Sequence, residues 1–186
     1  MKKLSPLIVP WMISPSMPNL KMMLEDNGRG VFQFFGFFGF EPLTEDERTK
    51  QDIGQGTQGL RLDPSRKNGR HQLISLSFKN IGWLIKNPQH SDTEVINESL
   101  FDWSEVRGRL MAGETISEWQ NRCSQEWVNT KISPNPSIYT ITNSDWNIQE
   151  AKTWELKHYL ILGDSSYIEI LAQDFEWISE GTVLGW

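Results

Sequence analysis

Residues 154–172 read WELKHYLILGDSSYIEILA, and the fold is decided there. In Trp154–Leu162 the side chains of Trp154, Leu156, His158 and Leu160 fall on one face of an extended strand, with Glu155 and Lys157 on the other. Gly163-Asp164-Ser165-Ser166 is turn chemistry, and Tyr167–Ala172 returns as a second strand that extends toward Trp177. Two such strands around a short turn predict an antiparallel hairpin.

Upstream, Ser137–Thr142 reads as a further strand and Asp145–Ala151 as a helical turn. Glu114–Asn129 is the clearest helix. Ile116, Trp119, Cys123 and Trp127 follow one another at helical spacing, and Gly113 and Ser133-Pro134-Asn135-Pro136 bound it. A shorter helix is expected from Asp102 or Ser104 to about Leu110, with Val106, Leu110 and Met111 on its apolar side. Leu73–Phe78 and Ile81–Lys86 read as a strand pair or one long bent strand, closed by Asn87-Pro88, and Thr93–Leu100 as a short strand. Val31–Phe40, after the turn Asn27-Gly28-Arg29-Gly30, reads as a strand or hairpin because aromatics suit a pleated surface.

Two segments lack such patterning. Residues 1–20 form a proline-rich arm (Pro6, Pro10, Pro15, Pro18), extended or irregular, whose Leu7, Ile8, Val9, Trp11 and Ile13 are available to dock on a core. Residues 41–72 form a long polar loop, acidic at first and then rich in glycine and basic residues. A loop of this length inside a domain is usually functional or disordered. The expectation is a single domain over residues 1–186. Its fold class is α+β, a mostly antiparallel β-sheet with two or three helices packed on it.

Composition narrows the function classes. A chain of 186 residues can bury a core without a metal or disulfide staple. Net charge is −6 and pI is near 5.1, which argues against a whole-surface nucleic-acid or membrane binder. Cys123 is the single cysteine, so no intrachain disulfide or multi-cysteine zinc site exists, in keeping with a cytoplasmic location. The apolar run Leu4–Ile13 is interrupted by prolines and lacks a cleavage site, so it is not read as a signal peptide. Val31–Phe40 is half the roughly 20 residues a spanning helix needs.

Motif matches fail on context. Gly54-Gln55-Gly56-Thr57-Gln58-Gly59 fits the dinucleotide fingerprint, yet no apolar strand precedes it and no helix opens at it. Leu162-Gly163-Asp164-Ser165 resembles the serine block of GDS-type esterases, but no histidine follows His158 to serve as a base. Asp145 followed by Glu155-Leu156-Lys157 echoes metal-dependent nucleases, in which two carboxylates hold Mg²⁺ and a lysine stands beside the attacking water. His71, His90 and His158 are too scattered for a histidine-based zinc site, and Cys123 reads as a structural thiol. No cofactor or metal is expected.

Two features remain. Arg61, Arg66, Lys67 and Arg70, with His71 beside them, make a local basic stretch opposed only by Asp63, suited to phosphate contact. Nine tryptophans are more than one small core absorbs, which makes Trp11 and Trp186 candidate anchors on a partner. The leading expectation is a non-enzymatic interaction protein: a subunit, adapter or inhibitor of a larger protein assembly. The alternatives are a subunit contacting RNA or DNA through residues 54–71, and a Mg-dependent nuclease using Asp145, Glu155 and Lys157.

Overall fold

The hairpin forms: β11 (Lys157–Leu162) pairs antiparallel with β12 (Ser166–Ala172), in register from Lys157↔Ala172 to Leu162↔Tyr167. A computed structural model describes the chain over residues 1–14, 20–39, 41–42, 60–61 and 71–182. The hairpin is the centre of a six-stranded sheet. β12 also pairs with β8 (Trp83–Pro88), and β11 with β10 (Ile138–Thr142). β10 pairs in turn with β1 (Lys2–Pro6), which runs parallel to β9 (Phe101–Asp102) at the far edge. The proline-rich arm thus contributes a strand to the interior of this sheet, and Pro6 falls at the strand's last position, where a lost amide donor costs least.

A second sheet lies against the first. Its order is β13 (Asp174–Thr182), β7 (His71–Lys79), β4 (Gly30–Phe37), with β2 (Met12–Ile13) and β3 (Lys21–Leu24) both pairing along the far side of β4. The two sheets share one apolar core. Phe32, Phe34, Ile74, Leu76 and Phe78 come from one, Ile138, Tyr159, Ile161, Ile168 and Ile170 from the other, and Trp11 joins them. The chain is therefore a single α+β domain of mostly antiparallel strands.

The six-stranded sheet is buried on its other face too. There Leu4, Tyr139, Ile141 and Leu160 pack under Ile96, Phe101 and Val106. Hence β11 has no solvent face of the kind its first residues suggest. His158 through Ile161 are all buried, and only Lys157 is exposed.

Several boundaries differ from the sequence reading for physical reasons. β7 and β8 are neither a pair nor one bent strand. At Asn80, in the left-handed region (φ 50°), the chain crosses from one sheet to the other, tied by Ile81 N–H to Gly28 O and Gly82 N–H to Leu171 O. Of the two readings of Val31–Phe40, strand or hairpin, the strand holds, as β4 over Gly30–Phe37, while Phe40 lies outside the described residues. Residues 93–100 end in a 3-10 turn, Glu98–Leu100, instead of a strand. The helix expected from residue 102 to 110 is replaced by turns: the Asp102 carboxylate accepts the Ser104 amide, and Gly108 lies so close to Pro134 and Asn135 that a Cβ there would sit 2.4 Å from the Asn135 side chain.

The expected long helix is α1 (Ile116–Thr130), opened by a capping box between Thr115 and Glu118. It braces the 103–114 segment, since Arg122 pairs with Glu114 and donates to the Arg107 and Arg109 carbonyls. The short helix α2 (Gln149–Thr153) begins later than the sequence reading and takes over the start of the expected strand. Glu155, at φ 55°, and Leu156 close it with bonds to Lys152 O and Ala151 O, a left-handed C-terminal cap.

Trp127 fixes the end of α1 to the sandwich. Its indole donates to Pro10 O at 3.0 Å, and its ring meets Phe37 edge-on. Gly39 lies at φ 78°, where an added Cβ would stand 2.7 Å from that indole. Gly39→Ala is expected to destabilise the domain by about 1–2 kcal/mol from the left-handed backbone alone, and further by displacing the indole. An unchanged urea midpoint would count against this packing.

Candidate functional site

The residues with chemical potential meet where β1, β11 and β12 run side by side. Strands alternate their side chains, so Lys2, His158 and Glu169 project from the face of the six-stranded sheet that also carries Leu4 and Leu160. Lys2 Nζ lies 3.2 Å from Glu169 Oε2 and 2.9 Å from Asp145 Oδ1. His158 Nε2 lies 3.1 Å from the same Glu169 oxygen, off the line that a ring N–H would need for a good hydrogen bond, so the contact is mainly electrostatic. Burial pushes the Glu169 carboxyl up, but His158 and Lys2 outweigh it and hold the group below the ordinary value. Burial lowers Lys2 in the same way, and Asp145 and Glu169 more than restore it.

On the other side of the imidazole, Ser144 Oγ lies 2.7 Å from His158 Nδ1. Asn143, at φ 55°, turns the chain out of β10 immediately before it, and the Trp146 amide donates to Ser144 Oγ at 3.1 Å. The Trp146 ring lies over the imidazole, 4.5 Å between centroids. In the tautomer with the ring proton on Nε2, beside the Glu169 carboxylate, Nδ1 accepts the Ser144 hydroxyl proton. Ser144 is exposed and, with His158, lines a cleft of about 520 Å³ walled by Ile148, Ala151, Leu156 and Leu171. Sequence reasoning did not find Ser144, Glu169 or Lys2, because nothing in their spacing links them. His158 was visible only as a histidine without a serine.

A second feature lies on the other sheet. β3 pairs with β4 on one side, and among the described residues no strand pairs with its other side. All four of its residues are exposed, with Met22, Met23 and Leu24 at 37%, 51% and 56%. Lys21 is its only charge. The edge strand β13 is better guarded, with Asp174, Glu176 and Glu180 along it and a bulge near Gly181.

The residues singled out from sequence are placed as follows. Asp145 is drawn to Lys2, while Glu155 occupies the helix cap before β11 and Lys157 begins the strand. Glu155 and Lys157 therefore do not share a strand face, and among the described residues no group of three or more acidic, histidine or cysteine side chains could hold a metal. Arg61 belongs to β6 (Leu60–Arg61), whose backbone pairs with β5 (Glu41–Pro42), so residues 41–72 are not structureless throughout. Arg66, Lys67 and Arg70 lie outside the described residues, as does Trp186. His71 starts β7, and burial pushes its imidazole below the usual value. Trp11 is fully buried against Phe34 and Trp177 and offers a partner no surface. Among the described residues the half-exposed tryptophan is instead Trp154, stacked on Trp83. Among the described residues no helix is long and apolar enough to cross a membrane. The chain matches no protein-family model, no curated protein and no solved structure.

Proposed function

We propose that this chain is an interaction protein, a subunit or adapter that takes an extended segment of a protein partner alongside β3. The side of β3 along which no described strand pairs carries this reading. A strand edge presents backbone donors and acceptors at fixed spacing, and an incoming segment satisfies them while its side chains meet exposed neighbours on both faces. Met22 lies opposite the buried Phe32 and so on the core side of the sheet, and Met23 opposite Val31 on the outer side. An occupant with apolar residues on both faces fits this edge. Methionine also adapts to partners of different shape.

The test places a photo-crosslinking amino acid at Met23, and at Ile178 on the guarded edge as control, in the native cell. The expected result is one discrete protein adduct at Met23 and none at Ile178. Complex retention should fall at least about tenfold, or ~1.4 kcal/mol, in Met23→Lys/Leu24→Lys. Both positions are exposed, so the double variant should keep the wild-type melting temperature. A complex retained unchanged in that variant, or no adduct at β3, overturns the reading.

A further inference from the structure

We infer that Ser144 is a nucleophile activated by His158 and directed at an ester in the adjoining cleft. This goes beyond the interaction reading and concerns the opposite sheet, so either stands or falls alone.

Three observations meet at one serine. Its hydroxyl has a base at hydrogen-bond distance, 2.7 Å to Nδ1. That base has a carboxylate at its other nitrogen, Glu169 at 3.1 Å, which is itself fixed by Lys2 at 3.2 Å. The serine is solvent-exposed and opens on a cleft of about 520 Å³, large enough for a small organic molecule. A nucleophile, a base and a carboxylate beside the base are three of the parts an acyl-transfer site uses. Here the serine sits on Nδ1 and the carboxylate on Nε2. The Trp146 ring over the imidazole and the burial of His158 hold the ring plane in that setting.

The lining indicates the substrate class. Ile148, Ala151, Leu156 and Leu171 suit a short apolar acyl group, and Lys152 and Lys157 favour an anionic remainder. In the first step Ser144 Oγ adds to the acyl carbon and its proton passes to Nδ1. The ester C–O bond breaks, and the departing alkoxide takes that proton to leave as an alcohol. Water then adds to the acyl-serine carbon and gives its proton to Nδ1. The bond between the acyl carbon and Ser144 Oγ breaks, Oγ takes back the proton, and the carboxylic acid departs. The sum is ester plus water to acid plus alcohol, with no other reagent.

A serine that merely caps its turn and satisfies a buried histidine has the same contacts but ordinary reactivity, and reactivity separates the two. The purified full chain is treated with a fluorophosphonate probe, the adduct is mapped by peptide mass spectrometry, and hydrolysis of a p-nitrophenyl butyrate solution is followed. Labelling is expected at Ser144, absent at Ser165, and lost in Ser144→Ala together with hydrolysis. His158→Asn is expected to lower the labelling rate on the order of 100-fold, the scale of a removed general base. If that buried variant does not fold, the comparison of Ser144→Ala with Ser165→Ala decides alone. No adduct at Ser144 in the folded wild type overturns the inference. So does equal labelling at Ser165, or undiminished labelling in a folded His158→Asn variant.

Discussion

Phe78→Ala is expected to cost about 3–5 kcal/mol of folding stability, the range for removing a buried aromatic and leaving a cavity. Phe78 is fully buried between the sheets. Its ring meets Phe32 edge-on at 5.5 Å within its own sheet and Tyr159 at 4.9 Å on the facing one, with Phe175 completing the group. Removing it takes contact area from both sheets at once, and the neighbours are held by strand ladders that limit collapse into the space. Urea unfolding followed by tryptophan fluorescence measures the loss. A cost below ~1 kcal/mol would mean that the two sheets do not share this core.

Glu169→Ala is expected to cost about 3 kcal/mol, because it leaves His158 without its carboxylate and Lys2 with only the exposed Asp145, in a site where the lysine and glutamate side chains are only 15% and 9% exposed. The paired replacement Lys2→Met/Glu169→Leu should recover part of that loss, since apolar residues of similar size avoid the desolvation cost. The sign of the pH dependence follows from the two shifts. Glu169 is held below its ordinary 4.5, so its contribution is present above that value and is lost as pH falls through the lower folded value. Lys2 is held above 10.5, so its contribution is complete below that value and is lost as pH rises through the higher folded one. The network is at full strength between those limits. The gap in stability between wild type and Glu169→Gln should therefore narrow on acidification from pH 7 to pH 3. A gap independent of pH would remove the ion network as its source.

What the sequence discloses depends on how local the cause is. The hairpin of β11 and β12 and the helix α1 are visible because period, turn residues and helix-bounding residues lie within one short window. The crossing between β7 and β8 is not, because both strands read alike and only the second sheet separates them. The apolar side of β11 was read as one face with Trp154 and Leu156 at its start. Those two belong instead to the end of α2, where a left-handed Glu155 takes a place usually given to glycine. Of the two readings of Trp11, a core-docking residue and a partner anchor, the first holds, because two sheets, rather than one, supply walls to bury it. The cluster around His158 draws on β1, on β11 and β12, and on the turn after β10. No pattern confined to one segment announces a contact assembled from residues 2, 144, 158 and 169.

The place of β1 has a consequence for how the chain reaches this structure. Lys2–Pro6 leaves the ribosome well before its neighbours, Phe101–Asp102 and Ile138–Thr142. The six-stranded sheet cannot close until well over half of the chain has emerged. Until then Leu4, Leu7, Val9 and Trp11, all destined for burial, wait as an apolar segment without its sheet neighbours. Sheet closure across so long a loop belongs to the millisecond-to-second class of folding rather than the microsecond class. A nascent chain stalled before Ile138 would present that segment, together with Phe32, Phe34, Ile74, Leu76 and Phe78 still lacking the facing sheet, to whatever binds unfolded segments in the cell.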